Sequence, residues 1–479
     1  MPDGTQLTHE QSNAQSETQR IIEAVADSHL ILAKAPRGAA AAVDPTGSIM
    51  ASWGRDATPH TVFRIASMTK SFTAALVLML RDEGDVSLDT PIASLAPECG
   101  SIVGPGCDPA AITLRRLLTM SSGLATDDAW ADRHLDATDD DLDRWIQAGL
   151  TFAHPTGTEF EYSNLGYALI GRVVHRVTGQ RLQTLVRDLL LTPLSMSHTV
   201  WSPADLPPGT DVASGVHPVG DEFVAVAPLA DGVVAPMGGL WSCTADLCRW
   251  MAILASAFCD SPLDAPISPR SRREMQQLHR ETAVRRLTAN DGSSRIAEGG
   301  YAMGLTTYVD ERYGRIVTHS GGLPGYGSNM RWVPAGVGVV ALANITYAPM
   351  WHAGAALLDA LGVAGLTGRS APGVPVALTN SAERLAALLG SWNDDAANAL
   401  FADNVLADIP APLRQAEADR RLTPSISGLS RPRRVRVLSV DAHGAASATM
   451  TLLANDTLHR IRFEMAPIAP VQIQKYDWL

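Results

Sequence analysis

Residues 71–81 (SFTAALVLMLR) form an almost wholly apolar run that stops at Asp82-Glu83-Gly84, and few folds can accept it. These eleven residues are too few to cross a bilayer, which takes about 20 in a helix. The simplest account is a helix buried against a sheet and ended by the acidic pair and the glycine. Ahead of it, residues 61–65 (TVFRI) read as a short strand or extended approach, so Ser67-Met68-Thr69-Lys70 falls where the helix begins.

Positions three apart share a face of a helix, so the Lys70 amine can reach the Ser67 hydroxyl. A serine becomes a useful nucleophile when a neighbouring base takes its proton. The first helical turn, predicted to hold Ser67, also offers free backbone N–H groups and the positive end of the helix dipole. A lysine held beside an apolar helix tends to shed its proton, because desolvation and positive neighbours both oppose the ammonium. The four-residue pattern recurs by chance in chains of this length, so its meaning depends on the rest of the chain.

The 479 residues can supply two or three cores, and 46% hydrophobic with 18% charged residues is ordinary globular composition. A formal net charge of -12 without a dense basic tract disfavours nucleic acid and anionic membrane as partners; the best basic cluster, 431–436 (RPRRVR), is short. Residues 1–20 are polar, with neither a basic start nor an apolar core. The expectation is a cytoplasmic protein, or an exported one whose leader has been removed. Cys99 and Cys107 flank a loop and could pair, but the odd count of five cysteines favours reduced thiols. Neither Cys243 nor Cys248 has a histidine at metal-ligand spacing, so no metal or cofactor is expected.

A helix is predicted over 18–32, followed by a hairpin over 41–53 that turns at Asp44-Pro45-Thr46-Gly47. Residues 91–228 read as a mostly helical insertion, with helices at 114–120, 139–147, 165–177 and 182–190. Strands return at 304–309, 315–319, 328–333 and 337–344, the last two joined at Pro334-Ala335-Gly336. Early and late strands around a helical insertion imply one antiparallel sheet built from both ends of a domain. A ligand cleft is expected between that sheet and the insertion. The loop 366–375 separates a domain over 18–365 from a small α+β domain over 376–479. The latter is predicted to contain a helical stretch at 381–401 and strands at 433–440, 445–453 and 458–465, with packing or homo-oligomer formation as its expected role.

Two further clusters carry chemistry. Tyr162 and Asn164 lie two apart in a loop just before a helix, where alternate side chains of an extended segment share a side. A phenol can exchange a proton and an amide can hold a carbonyl or an amine. His319-Ser320-Gly321-Gly322 closes a predicted strand and enters a turn-rich loop. An edge strand there could offer a backbone N–H to a developing oxyanion, with glycine allowing close approach.

In this order and at these separations, S-M-T-K at 67–70, Y-S-N at 162–164 and H-S-G at 319–321 resemble the serine β-lactamase and penicillin-binding-protein superfamily. The likeness is strongest to its class C-like branch, which includes D-aminopeptidases, DD-peptidases and esterases. Supporting stretches are 112–124 (ITLRRLLTMSSGL), 193–199 (PLSMSHT) and 237–250 (MGGLWSCTADLCRW). The resemblance implies an α/β (α+β) fold in which helices flank an antiparallel sheet, and a hydrolase that forms an acyl-enzyme. It implies Ser67 as nucleophile, Lys70 as proton acceptor, Tyr162 as its partner and as donor to the leaving group, and Asn164 as a substrate-orienting amide. The backbone N–H groups of Ser67 and Gly322 would form the oxyanion hole, and His319, Ser320 and Gly321 would bind substrate. No cofactor is implied.

One departure bears on substrate. Many relatives carry lysine where this chain has His319, and histidine is largely neutral near pH 7 unless an acidic neighbour raises its pKa. The expected substrate is therefore a small peptide or amide, D-residues included, in preference to a β-lactam. A carboxylesterase, or a weak β-lactamase, on the same site is the rival reading, and a non-catalytic peptide-binding module the third. Whether Lys70 or Tyr162 is the first base stays open, since the two titrations are coupled.

Overall fold

Strand β1 (Gly38–Val43, GAAAAV) is buried at every position because helices cover both faces of its sheet. Ala39, Ala41 and Val43 point into one core, and Ala40 and Ala42 into the other. In this computed structural model, residues 4–282, 285–288, 294–310, 312–366, 374–422, 435–455 and 457–479 are described. The chain divides into two compact units, 1–369 and 370–479.

The sheet continues with β2 (Ile49–Arg55), β3 (Arg280–Glu281), β4 (Arg285–Thr288), β5 (Ser294–Tyr301), β6 (Thr306–Asp310), β7 (Gly314–Leu323), β8 (Tyr326–Trp332) and β9 (Gly338–Ala343). Its order is β2-β1-β9-β8-β7-β6-β5-β3, with β4 also on β5. Every pairing is antiparallel. The first hairpin thus joins the late strands, as the separated strand groups predict, with Gly38 opposite Ala343.

The packing helices are α1 (Gly4–Leu32), α2 (Thr69–Glu83), α3 (Leu165–Thr178), α4 (Thr244–Ser256) and α5 (Met350–Val363). Ile22, Ala26 and Leu30 recur every fourth residue of α1, and with Leu357, Leu358 and Leu361 of α5 they cover one sheet face. The other face receives α2 and α4, where Phe72 stacks on Trp250 at 4.4 Å and Trp250 Nε1 donates to Ser71 Oγ. Helix α2 is buried through most of its length and ends at Gly84 with φ 90°, a left-handed cap suited to glycine. Among the described residues, no helix is long and apolar enough to cross a membrane.

Local spacing misplaces three details. Ser67 lies in a 3-10 turn (Ala66–Met68) leading into α2, not in the first turn of the α-helix. Only Phe63–Arg64 of the approach is strand, and it pairs with Trp241–Ser242 outside the main sheet. Strand β7 runs on through His319, Ser320, Gly321 and Gly322, and the chain turns into β8 at Pro324-Gly325, where Gly325 has φ 88°. The flanking strands supply the ladder that glycine-rich sequence alone does not advertise.

Between these elements the regular structure is mostly helical, including Leu114–Leu118, Asp139–Ala148, α3 and Leu182–Val186, joined by long loops. A short exposed hairpin, Val216–Val219 with Glu222–Ala225, interrupts the helices. The second unit packs Val376–Gly390, Asp394–Leu400 and Ala411–Leu422 with a four-stranded antiparallel sheet, Val435–Ala442, Ser447–Ala454, Thr457–Met465 and Ile473–Trp478. Leu385, Leu389, Phe401, Met450 and Phe463 lie in its own core. Most of the loop read over 366–375, the first residues of the strand read over 433–440, and residues 431–434 of the basic cluster fall outside the described residues.

Candidate active site

The chain reaches Ser67 through Ala66, whose φ of 48° is left-handed. Such a backbone costs a non-glycine residue about 1–3 kcal/mol and persists only where the surroundings hold it. They do so here. Ser328 Oγ donates to the Ile65 carbonyl at 2.8 Å, and Gly321 of β7 lies so close that a Cβ there would overlap that carbonyl oxygen. Glycine at 321 is what lets the strand meet the turn.

Lys70 is fully buried, and its Nζ lies 2.9 Å from Ser67 Oγ, 2.6 Å from Asn164 Oδ1 and 2.8 Å from the Met237 carbonyl. Burial lowers its pKa to about 8, against the fields of Asp128, Asp127 and Asp132, which pull it back up. The Met237 carbonyl can only accept, and so can the Asn164 oxygen. In its neutral form the amine can give two N–H groups to them and turn its lone pair to the Ser67 hydroxyl. Its nitrogen also lies over the rings of Tyr162 and Tyr167, 4.9 and 5.3 Å away, which favour an ammonium there.

Asn164 is held from behind. Its Nδ2 donates to Asp127 Oδ1 at 3.1 Å and Asp128 Oδ1 at 2.7 Å. Asp127 also accepts the backbone N–H groups of Asn164 and Leu165 at 2.7 and 2.8 Å, so it caps α3 while fixing the amide. Burial raises the Asp127 carboxyl, with these hydrogen bonds working against the shift. Asp132, hydrogen-bonded by Tyr347 Oη at 2.9 Å, is pushed up to about 6 chiefly by burial. Burial, with the Asp128 charge next, holds the Tyr162 phenol well above its ordinary value, and its hydrogen bond with Ser67 opposes this.

The last pair between β6 and β7 is Thr306 opposite Thr318, so His319 to Leu323 extend past the neighbouring strand. Beside them lies a cavity of about 620 Å³ whose walls include Tyr162, Tyr301, His319, Ser320 and Arg331. His319 is buried, with its Nδ1 2.7 Å from the Ser320 carbonyl and its Nε2 3.1 Å from Tyr301 Oη. A carbonyl only accepts, so Nδ1 carries the proton and Nε2 takes the tyrosine hydrogen. Burial and the nearby Lys70 hold the His319 pKa near 3. Ser320 Oγ accepts from Asn329 Nδ2 at 2.9 Å. Arg331, opposite Thr318 in the ladder, donates to Tyr308 Oη at 2.9 Å, and its buried Nε has no partner. No ion pair with Arg331 is found among the described residues.

Thus Ser67, Lys70, Tyr162 and Asn164 converge, and His319, Ser320, Gly321 and Gly322 line up along β7 beside them. Asp127, Asp128, Tyr167, Tyr301 and Arg331 escape sequence reasoning, because an acidic pair in a loop and single aromatic or basic residues carry no spacing signal. Met237 acts through its backbone, which side-chain pattern cannot reveal.

A family profile described as Beta-lactamase matches residues 20–364. The chain belongs to the beta-lactamase family. Members of this serine-hydrolase and penicillin-binding-protein superfamily act on peptide, amide or ester bonds. Within the family, Protein flp of Staphylococcus aureus is 30% identical over 295 residues, 60% of this chain and 54% of that protein. The chain therefore spans about half the length of that curated relative. Penicillin-binding protein 4 of Amycolatopsis lactamdurans is 34% identical over 164 residues, 33% of this chain and 41% of that protein. Among solved structures, the octameric penicillin-binding protein homologue from Pyrococcus abyssi superposes with TM-score 0.58 at 19% identity, covering 94% of this chain and 97% of that one. A D-stereospecific amidohydrolase from Streptomyces does so with TM-score 0.54 at 21% identity, over 73% and 99% of the two chains. These likenesses show a shared beta-lactamase-like fold.

Proposed function

We propose that this beta-lactamase family member is a serine hydrolase that forms an acyl-enzyme on Ser67 and cleaves small peptides or amides, those with D-residues included. The observation that carries the reading is the bonding of Lys70. Two acceptors, Asn164 Oδ1 and the Met237 carbonyl, occupy its N–H groups and leave the lone pair 2.9 Å from Ser67 Oγ. With the Lys70 pKa lowered and the Tyr162 pKa raised, the amine is the first base and the phenol the proton donor to the leaving group. The acyl oxygen would sit between the backbone N–H groups of Ser67 and Gly322. Water then attacks the ester, and the Lys70/Tyr162 pair takes its proton.

His319 is neutral and both its nitrogens are engaged, so it brings no positive charge to a substrate. Arg331 does, and its place in the cavity wall supports recognition of a substrate carboxylate. Ester hydrolysis is the second reading, favoured by the aromatic lining of Phe160, Tyr162, Tyr301, Tyr308 and Trp351.

A covalent serine probe tests the nucleophile, with labelling expected in the native chain and absent in Ser67→Ala. Persistent labelling of the variant would sink the assignment. Comparing kcat/KM for D- and L-aminoacyl amides, short-chain esters and a chromogenic cephalosporin tests substrate class. Amides are expected to lead, and a leading cephalosporin would overturn the substrate reading.

A further inference from the structure

His60, His198 and Cys243 are far apart in sequence, yet each offers one ligand atom within 4.8 Å of the others. The small sheet beside the nucleophile brings them together. His60 precedes strand Phe63–Arg64, Cys243 follows its partner Trp241–Ser242, and His198 precedes Val200, which bridges to Trp241. All three therefore fall at one end of this patch, where Ala245 N also donates to the Pro59 carbonyl at 3.1 Å.

We propose that His60, His198 and Cys243 bind a borderline-soft divalent ion, Zn²⁺, with water in the fourth tetrahedral position. Two imidazoles and a thiolate suit zinc far better than Mg²⁺ or Ca²⁺, which take oxygen ligands. Ligands about 2.0–2.3 Å from zinc stand roughly 3.3–3.8 Å from one another. Small rotations of the exposed His60 side chain close the remaining gap, and its exposure gives the ion a way in.

The surroundings already orient the donors. Ser197 Oγ lies 3.3 Å from His198 Nδ1, leaving Nε2 for the metal. Asp246 accepts the His198 backbone N–H and the Thr199 hydroxyl, both at 2.9 Å, and so holds the histidine's loop against α4. Cys243 is the N-cap of α4; burial, with the Asp246 charge next, pushes its thiol up to about 12, and the backbone N–H groups of Asp246 and Ala245 work against that shift, so in the metal-free chain the sulfur holds its proton. On binding, a Zn–S bond forms and the thiol proton passes to solvent, so charge and atoms balance. The ion would tie the extended approach to Ser67 to α4 and to the 198–200 segment. Its role is to clamp the framework, outside the acyl-transfer chemistry.

The test is a titration of the full, chelator-stripped chain without tag histidines, using Co²⁺ alone as the spectroscopic probe. One equivalent is expected to produce a thiolate-to-cobalt charge-transfer band with tetrahedral visible bands, and Zn²⁺ to bleach both and raise Tm. Cys243→Ser should lose the charge-transfer band, while Cys259→Ser keeps it. His60→Ala should weaken Co²⁺ binding at least about tenfold. Absence of the band in the native chain, or its survival in Cys243→Ser, would overturn the site. If Cys243→Ser does not fold, the exposed His60→Ala variant decides, and unchanged affinity there counts against the proposal.

Discussion

The Tyr301 hydroxyl stands 3.1 Å from Nε2 of His319 and, with the Ser320 carbonyl on the other nitrogen, makes that ring a neutral acceptor. Family members with lysine at this position meet their substrates with a fixed charge; here the charge facing the cavity belongs to Arg331, on the adjacent strand.

The His319 ring should stay neutral and protonated at Nδ1 throughout about pH 5 to 8, the window in which an unperturbed histidine titrates. Imidazole nitrogen chemical shifts check this. A titration midpoint inside that window would show that the ring is free to accept a proton. Removing the donor with Tyr301→Phe leaves buried Nε2 unpaired and should lower stability by about 1–3 kcal/mol in urea denaturation.

The acid limb of kcat/KM should follow Lys70. The amine accepts the Ser67 proton only when neutral, so activity should rise about tenfold per pH unit below about 8 and level off above it. Asp128 is the largest of the charges that raise the Lys70 pKa. Asp128→Asn keeps an acceptor for Asn164 and removes the charge, so the limb should move to lower pH. An upward shift would contradict Lys70 as the group that titrates.

Arg331→Ala should act on one class of substrate. Charge-assisted hydrogen bonds are worth about 1.5–3 kcal/mol, so kcat/KM for peptides with a free carboxylate should fall roughly 10- to 150-fold. Their amidated counterparts should change little. Equal losses on both would assign Arg331 to framework packing with Tyr308.

Gly321→Ala would place a Cβ against the Ile65 carbonyl and the Ser328 hydroxyl. Relief requires β7 to move from the Ala66 turn, at a cost of about 1–3 kcal/mol for overpacking. Stability and kcat should fall together, whereas Gly444→Ala, in open space, should change neither. Calorimetry and initial rates separate the two outcomes.

Sequence and tertiary structure divided the work along a physical line. Helix α2, its Gly84 stop, the Ser67 to Lys70 spacing and the first hairpin were legible because each depends on neighbours within one or two turns of chain. So was the joining of early and late strands, since each group leaves an edge of unpaired backbone N–H and C=O groups that the other can fill. The continuation of β7 through three motif residues was not legible, because glycine-rich segments become strands only when flanking strands supply the hydrogen bonds.

The protonation states were not legible either. The residues of 67–70 determine by themselves that an amine can reach a hydroxyl, and nothing in them says whether that amine carries a proton. The tertiary structure decides this by burying Lys70, surrounding it with Asp127, Asp128 and Asp132, and giving its N–H groups to Asn164 and Met237. It likewise decides that His319 is neutral and that His60, His198 and Cys243 meet. Geometry along a helix follows from local covalent spacing, whereas a pKa or a ligand set depends on solvent exclusion and on charges that folding brings from distant parts of the chain.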